Sequence, residues 1–221
     1  MNILKTKEQG LLIVISGPSG AGKGTICEQL RKNKNIWIST SMTTREPRGQ
    51  EKNGKEYFFV TKEEFEQRIK DDKFLEYAIV HNNQYYGTPK DKIEEKLNKG
   101  YDVILEIDIQ GALKIKEKIA EAICIFIMPP SMDELKTRLI NRHTESKDKI
   151  LERFKTAYNE INEVTKYNYV VVNDLVKNAT KKVEGIILAE KCRVDRIEEV
   201  FLNNPEEKLH EELMNKEFIN E

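Results

Sequence analysis

The feature that most narrows what this chain can become is the junction of residues 11–16 (LLIVIS) with Gly17-Pro18-Ser19-Gly20-Ala21-Gly22-Lys23-Gly24-Thr25. The first segment is a short apolar run rich in β-branched residues, which predicts a strand buried on both faces of a parallel sheet. The second fits G-x-x-x-x-G-K and opens a helical pattern over residues 24–32. In that context a glycine-rich loop can turn successive backbone N–H groups around phosphate oxygens, and the helix N-terminus adds the positive end of its dipole. Lys23 supplies a point charge for the β- and γ-phosphates. The prediction is a nucleoside triphosphate site built by residues 17–25. The hydroxyl that commonly follows the lysine to hold Mg²⁺ is replaced here by Gly24, so the candidate metal contact moves to Thr25.

Further apolar runs recur at 102–107 (DVILEI), 122–128 (AICIFIM) and 169–172 (YVVV), each separated from the next by a helical pattern. Strands alternating with helices predict an α/β fold, a doubly wound parallel sheet flanked by helices. Helices are expected over 111–118, 132–141, 147–166 and 177–196, with Ser131 and Glu134 forming a capping box before the second of these. Between the first helix and residue 102 the texture changes to short alternating segments, 57–60 and 75–80, with a helix capped by Thr61 and Glu64 and another expected to begin near Pro89. We read residues 41–89 as an inserted α+β lobe, 1–40 with 90–203 as the core, and 204–221 as a charged tail. The polar stretch 142–149 (RHTESKDK) cannot bury itself and is expected to be a mobile loop within a lid over about 138–153.

Composition removes several alternatives. Lys and Arg total 37 against 38 Asp and Glu, a net charge of −1, so no global field attracts nucleic acid or an anionic membrane. No stretch reaches the apolar length of a membrane span, and neither partner is expected. Cys27, Cys124 and Cys192 are far apart, which fits a reducing, cytoplasmic setting. His81, His143 and His210 are equally scattered and do not suggest a metal set. Whether the chain acts as a monomer or a homo-oligomer is left open.

A second cluster lies at Ser41-Met42-Thr43-Thr44-Arg45-Glu46-Pro47-Arg48, followed by Asn53-Gly54-Lys55-Glu56-Tyr57. Arginine forks pair bidentately with phosphate oxygens and hydroxyls complete the shell, a set suited to a phosphate monoester. The same composition also suits a solvated charged loop. Glu106 and Asp108 close the run at 102–107, at the carboxyl end of a buried strand, where open α/β sheets place their ligands. Asp108 reads either as a group orienting Mg²⁺ or its waters, or as the cap of the next helix. Arg138 and Arg142 are spaced for one helix face, with Arg153 beyond the polar loop; arginines so spaced are often merely solvated.

Taken in order, S-x-T-T-R-x-P-R, N-G-x-x-Y, F-L-E, Y-Y-G-T and L-E-I-D-I-Q-G resemble the motifs of the guanylate kinase family, from about residue 11 to 196. The resemblance implies transfer of the ATP γ-phosphoryl group to GMP, and to dGMP, with Mg²⁺. It implies that Arg45, Arg48, Tyr57 and Tyr86 hold the GMP phosphate, that Ser41, Glu76 and Thr88 read guanine, and that Glu106 and Asp108 face the nucleotides. Arg138, Arg142 and Arg153 correspond to lid and catalytic arginines, joining Lys23 and Arg45, and Asn173 to a residue near adenine. The base chemistry agrees: adjacent N1–H and N2–H₂ donors on guanine match the two oxygens of one carboxylate, Glu76, whereas adenine offers an acceptor at N1. Two rivals are a partner-binding module without turnover and a kinase for another base.

Overall fold

The structure, a computed structural model, describes residues 4–80, 84–141, 147–200 and 214. After β1 (Leu4–Thr6), the first apolar run becomes β2 (Leu12–Ser16), followed by α1 (Lys23–Leu30) and β3 (Ile36–Ile38). The chain then builds a second sheet with β4 (Met42–Thr43), β5 (Phe58–Phe59), α2 (Lys62–Lys70), β6 (Phe74–Val80) and β7 (Gln84–Pro89). It returns through α3 (Asp91–Asn98), β8 (Asp102–Glu106), α4 (Ile109–Lys118) and β9 (Ile123–Met128). It ends with α5 (Met132–Ile140), α6 (Lys147–Ile161), β10 (Tyr169–Val172), α7 (Val176–Lys191) and β11 (Ile197–Val200).

The main sheet is parallel throughout, in the order β10-β9-β2-β8-β3. Its inner strands are buried on both faces, and successive residues feed two different cores. Ile13 and Ile15 join Ile104, Ile125 and Ile127 on the α1 and α7 side, while Leu12 and Val14 join Val103, Leu105 and Cys124 on the α3 and α4 side. Two apolar layers explain why the runs are continuous rather than alternating. A fully buried isoleucine contributes about 1.5–3 kcal/mol, so these strands hold the fold.

The second sheet has the order β5-β4-β7-β6, with β7 antiparallel to both neighbours. Met42, Phe65 and Phe74 form its core, the two rings stacked at 4.4 Å between centroids. Gly87 makes that stack possible, because a Cβ there would lie 2.8 Å from the Phe65 ring and 2.9 Å from that of Phe74. α2 is capped as expected, the Thr61 hydroxyl accepting from the Glu64 N–H at 3.1 Å. β1 and β11 form a separate antiparallel ribbon.

Several boundaries differ from the sequence expectation. Pro89 ends β7 opposite Phe74, and the helix starts two residues later at Asp91. A proline lacking an N–H suits a strand end as well as a first helical position. The helix expected over 147–166 is α-helical to Ile161 and tightens to a 3₁₀ turn over Asn162–Lys166. That expected over 177–196 ends at Lys191, before a separate 3₁₀ turn at Val194–Arg196. Residues 142–146 and all of the tail but Met214 lie outside the described residues.

Asp102 fastens the start of β8. It is 2% exposed, its Oδ1 accepts from the Leu11 N–H at 3.1 Å, and its Oδ2 pairs with Lys191 Nζ at 2.6 Å. Asp102→Ala leaves that N–H buried without its partner and is expected to lower stability by about 2 kcal/mol. The check is a denaturant titration, in which the midpoint should fall at unchanged slope.

Candidate active site

The phosphate loop leaves the buried end of β2 through Gly17, whose φ is +140° and whose Cβ, had it one, would lie 2.2 Å from the Ile127 carbonyl oxygen. No other residue type fits there. Gly20 and Gly22 also adopt positive φ, and a Cβ on Gly22 would lie 2.3 Å from Asn173 Nδ2. α1 begins without a side-chain cap, unlike α2, α4 and α5, and without an acid in its first turn, unlike α2 and α5. Its first N–H groups therefore keep their capacity to bind an anion. Lys23 Nζ donates to the Gly17 carbonyl at 2.6 Å and to that of Pro18 at 3.2 Å, which folds the lysine back over the loop.

Elements distant in sequence close on this loop. Asn173, at the end of β10, donates from Nδ2 to the Ala21 carbonyl at 2.8 Å, while its buried Oδ1 has no partner among the described residues. Arg138 on α5 donates to the Asn173 carbonyl at 3.1 Å and pairs with Glu134 at 2.9 Å. Arg153 on α6 donates to the Ser19 hydroxyl. Gly20, Gly22, Thr25, Arg138, Asn173 and Val176 surround a cavity of about 290 Å³.

A second cavity of about 300 Å³ lies on the other side of the loop. Gly17, Ser19 and Lys23 of the loop line it together with Ser41, Tyr57, Glu76 and Tyr86. Glu106, Ile107 and Asp108, at and just beyond the end of β8, also line it, with Ala78, Gly87 and Glu160 completing the lining. Thr88 is buried behind Glu76 and donates its hydroxyl to Oε1 at 2.6 Å. Asp108 Oδ1 accepts from the Gly111 N–H at 2.8 Å, so this residue caps α4 as well as lining the cavity.

The arginine cluster divides. Arg45 is buried under Tyr86, donating from Nε to its hydroxyl at 3.1 Å, with its guanidinium 4.9 Å from the Tyr57 ring centroid. Its fork is paired with Glu51, at 2.6 and 2.8 Å, and Nη1 also donates to the Glu46 carbonyl. Arg48 is exposed and does not line the cavity; its backbone N–H donates to Glu51 Oε2 at 2.8 Å. Arg142 lies outside the described residues.

Burial dominates the titration of the site. Desolvation lowers the Lys23 ammonium below its ordinary range, opposed by the nearby Glu106, Glu160 and Asp108. Desolvation likewise raises the carboxyls of Glu76, Glu106 and Glu160. The hydrogen bond from Arg45 holds Glu51 low, and that bond raises Arg45 in turn.

Two residues here escaped the sequence reading. Glu51 lies three positions after Arg48 in a charged turn, and only its pairing marks it. Glu160 follows Arg153 by seven positions, two helical turns, which puts both on one face of α6 and could have pointed to it.

A parallel sheet, an uncapped helix behind a glycine loop, and a second cavity lined by Lys23 of that loop define a P-loop enzyme of the phosphotransferase type. The guanylate kinase family model matches residues 9–190. The guanylate kinase of Clostridium tetani is 61% identical over 206 residues, covering 93% of this chain and 99% of that protein. That of Clostridium perfringens (strain SM101 / Type A) is 58% identical over 214 residues, covering 96% and 99%. The crystal structure of guanylate kinase from Anaplasma phagocytophilum superposes with a TM-score of 0.72 at 34% identity, covering 89% of this chain and 93% of that one. The chain belongs to the guanylate kinase family.

Because Glu160 holds its proton more tightly in the folded chain than its ordinary value of 4.5 allows, its ionised form subtracts stability above the raised value and subtracts nothing below 4.5. Glu160→Gln should therefore melt higher than the parent at neutral pH, and the gap should close as the pH falls to about 4.5. Parallel melting curves at the two pH values check this.

Proposed function

We propose that this chain catalyses ATP + GMP ⇌ ADP + GDP by in-line transfer of the γ-phosphoryl group to a phosphate oxygen of GMP, and that dGMP also serves. The observation that carries the reading is the second cavity, where Glu76 and Tyr86 face Lys23 and the phosphate loop. An acceptor bound to the one is thereby directed at a phosphate held by the other. The acceptor phosphate is already anionic, so no protein base is needed and positioning with electrostatics carries the rate.

In this reading residues 17–25 wrap the ATP phosphates, and Asn173 lies near the adenine, beside the cavity that it lines. Arg45, Arg48, Tyr57 and Tyr86 hold the GMP phosphate. Ser41, Thr88 and above all Glu76 read guanine, with Glu106 and Asp108 between the two nucleotides. Lys23, Arg138, Arg153 and Arg142 stabilise the charge that spreads over the transferring group. Residues 41–89 act as a GMP-binding lobe and 138–153 as a lid, against a core of 1–40 and 90–203.

The donor set also fits Mg²⁺. Thr25 and Asp108 are hard oxygen donors beside the loop, and among the described residues no cluster of three His, Cys, Asp or Glu could cage a metal by itself. That suits an ion carried in by the nucleotide and completed by phosphates and water. When bound, it neutralises phosphate charge, with Thr25 and Asp108 holding it, Asp108 through water. Among the described residues no helix is long and apolar enough to cross a membrane, and three free cysteines support a reducing, cytoplasmic setting.

A coupled ADP-release assay with GMP, dGMP, AMP, CMP and UMP tests the reading. GMP should be preferred, activity should vanish with a chelator and return with added Mg²⁺, and Glu76→Gln should cut kcat/KM for GMP at least about tenfold. Preference for another base removes the guanine assignment, and ATP binding without turnover of any monophosphate indicates a binding module instead.

A further inference from the structure

Glu76 lies on β6, yet much of what surrounds its carboxylate belongs to α4. Gly111 is the third residue of that helix, and a Cβ there would lie 3.1 Å from Glu76 Oε2 and 3.2 Å from its Cδ. Its backbone is outside the left-handed region, so conformation does not call for glycine, and glycine in a helix is less favourable than alanine. What the missing side chain provides is room for the carboxylate. Further along the same helix, Lys114 Nζ donates to the Tyr77 carbonyl at 2.7 Å and Lys118 Nζ to the Leu75 carbonyl at 3.2 Å. Those two carbonyls belong to the residues on either side of Glu76. The lysines are four positions apart and so share one helix face, holding β6 at both flanks of the acid.

We propose that Gly111, Lys114 and Lys118 form a mount on α4 that sets the position of Glu76, and that they are positioning residues for base selectivity. The proposal rests on the reading that Glu76 meets guanine. An acid that must accept from two adjacent donors needs both oxygens in one plane at fixed depth, which a strand held only by its own sheet does not secure. The mount ties it instead to the helix capped by Asp108, which follows directly on the strand carrying Glu106. The charged and polar groups facing the carboxylate are Thr88 from β7, and Asp108, Lys114 and Lys118 from α4 and its cap. Thr88 and the two lysines favour its ionised form, and Asp108 and burial oppose it.

The test uses the full chain with Gly111→Ala and the double variant Lys114→Met/Lys118→Met, assayed with GMP and with IMP, which lacks the N2 donor. Gly111→Ala should melt no lower than the parent, yet raise the KM for GMP about tenfold and narrow the preference for GMP over IMP, with the KM for ATP held within about twofold. The double variant should narrow the same preference and move the acid limb of kcat/KM for GMP to higher pH, since removing the lysines removes charge that keeps Glu76 ionised. An unchanged preference in either variant overturns the proposal. So does an effect confined to the KM for ATP or to kcat, which would place the disturbance at Asp108, 3.4 Å from the added methyl. Glu76→Gln separates the two levels: if it keeps the GMP preference, the reading of Glu76 fails, whereas if it alone loses that preference, only the mount fails.

Discussion

The backbone contact of Gly17 with Ile127 is the constraint on which the site depends. β2 is the middle strand of the main sheet, with β9 and β8 on its two sides, so its exit has no lateral freedom. The chain passes within van der Waals distance of the neighbouring strand's carbonyl, and the positive φ at Gly17 turns it toward α1. A Cβ at this point would force β2 and β9 apart at the edge where the loop forms. The loop's inward N–H groups, the uncapped start of α1 and the placement of Lys23 all follow from that turn. They in turn require β2 to be buried on both faces, because a strand with one wet face could be shifted to relieve the contact.

Around that turn, Lys23, Arg45, Arg138 and Arg153 are held by protein acceptors in defined directions. Lys23 bonds loop carbonyls, Arg138 bonds Glu134 and the Asn173 carbonyl, Arg45 is forked on Glu51, and Arg153 reaches Ser19. Charge fixed in this way needs little reorganisation when a phosphate group passes through a more highly charged arrangement. Glu51 makes the point most directly. Of the five guanidinium N–H donors of Arg45, two go to Glu51, one to Glu46 and one to Tyr86, which leaves one. A phosphate arriving there meets a preset direction, and gains a second donor only by displacing one of these acceptors. The same carboxylate accepts from the Arg48 N–H, so the turn carrying both arginines is organised by one acid.

What could be read in the sequence was whatever a single element determines. The runs at 102–107, 122–128 and 169–172 announce buried strands because two apolar layers demand continuous hydrophobicity, and the caps at Thr61 and Ser131 mark helix starts because the bond is local. β3, β4 and β7 were not legible. Met42–Thr43 is too short to carry a period, and Gln84–Pro89 has no clean alternation because Gly87 is selected by the Phe65–Phe74 stack. At the site, the phosphate loop was visible from its glycines and lysine, and Glu76 from family motifs. Glu51 is marked only by its pairing with Arg45 within a charged turn, and Glu160 by its burial in the cavity, which the two-turn spacing from Arg153 hints at without establishing. Asp108 was ambiguous in the sequence for a physical reason: one carboxylate can cap α4 with one oxygen and face the cavity as well.

The two cavities also give the loop a direction. Gly20, Gly22 and Thr25 border the space shared with Asn173 and Val176, whereas Gly17, Ser19 and Lys23 border the space shared with Glu76 and Tyr86. In the proposed reading, a triphosphate with its base beside Asn173 lies along the loop and ends near Lys23. In the proposed reaction the acceptor's phosphate lies near Tyr57, Tyr86 and the buried Arg45, around the cavity that Lys23 also lines. Glu106, Asp108 and Glu160 border the same space, and their negative charge repels phosphate placed off this line while Lys23 attracts phosphate placed on it. Acids and lysine together favour a narrow path over the strongest possible hold, which suits an enzyme that must release both products.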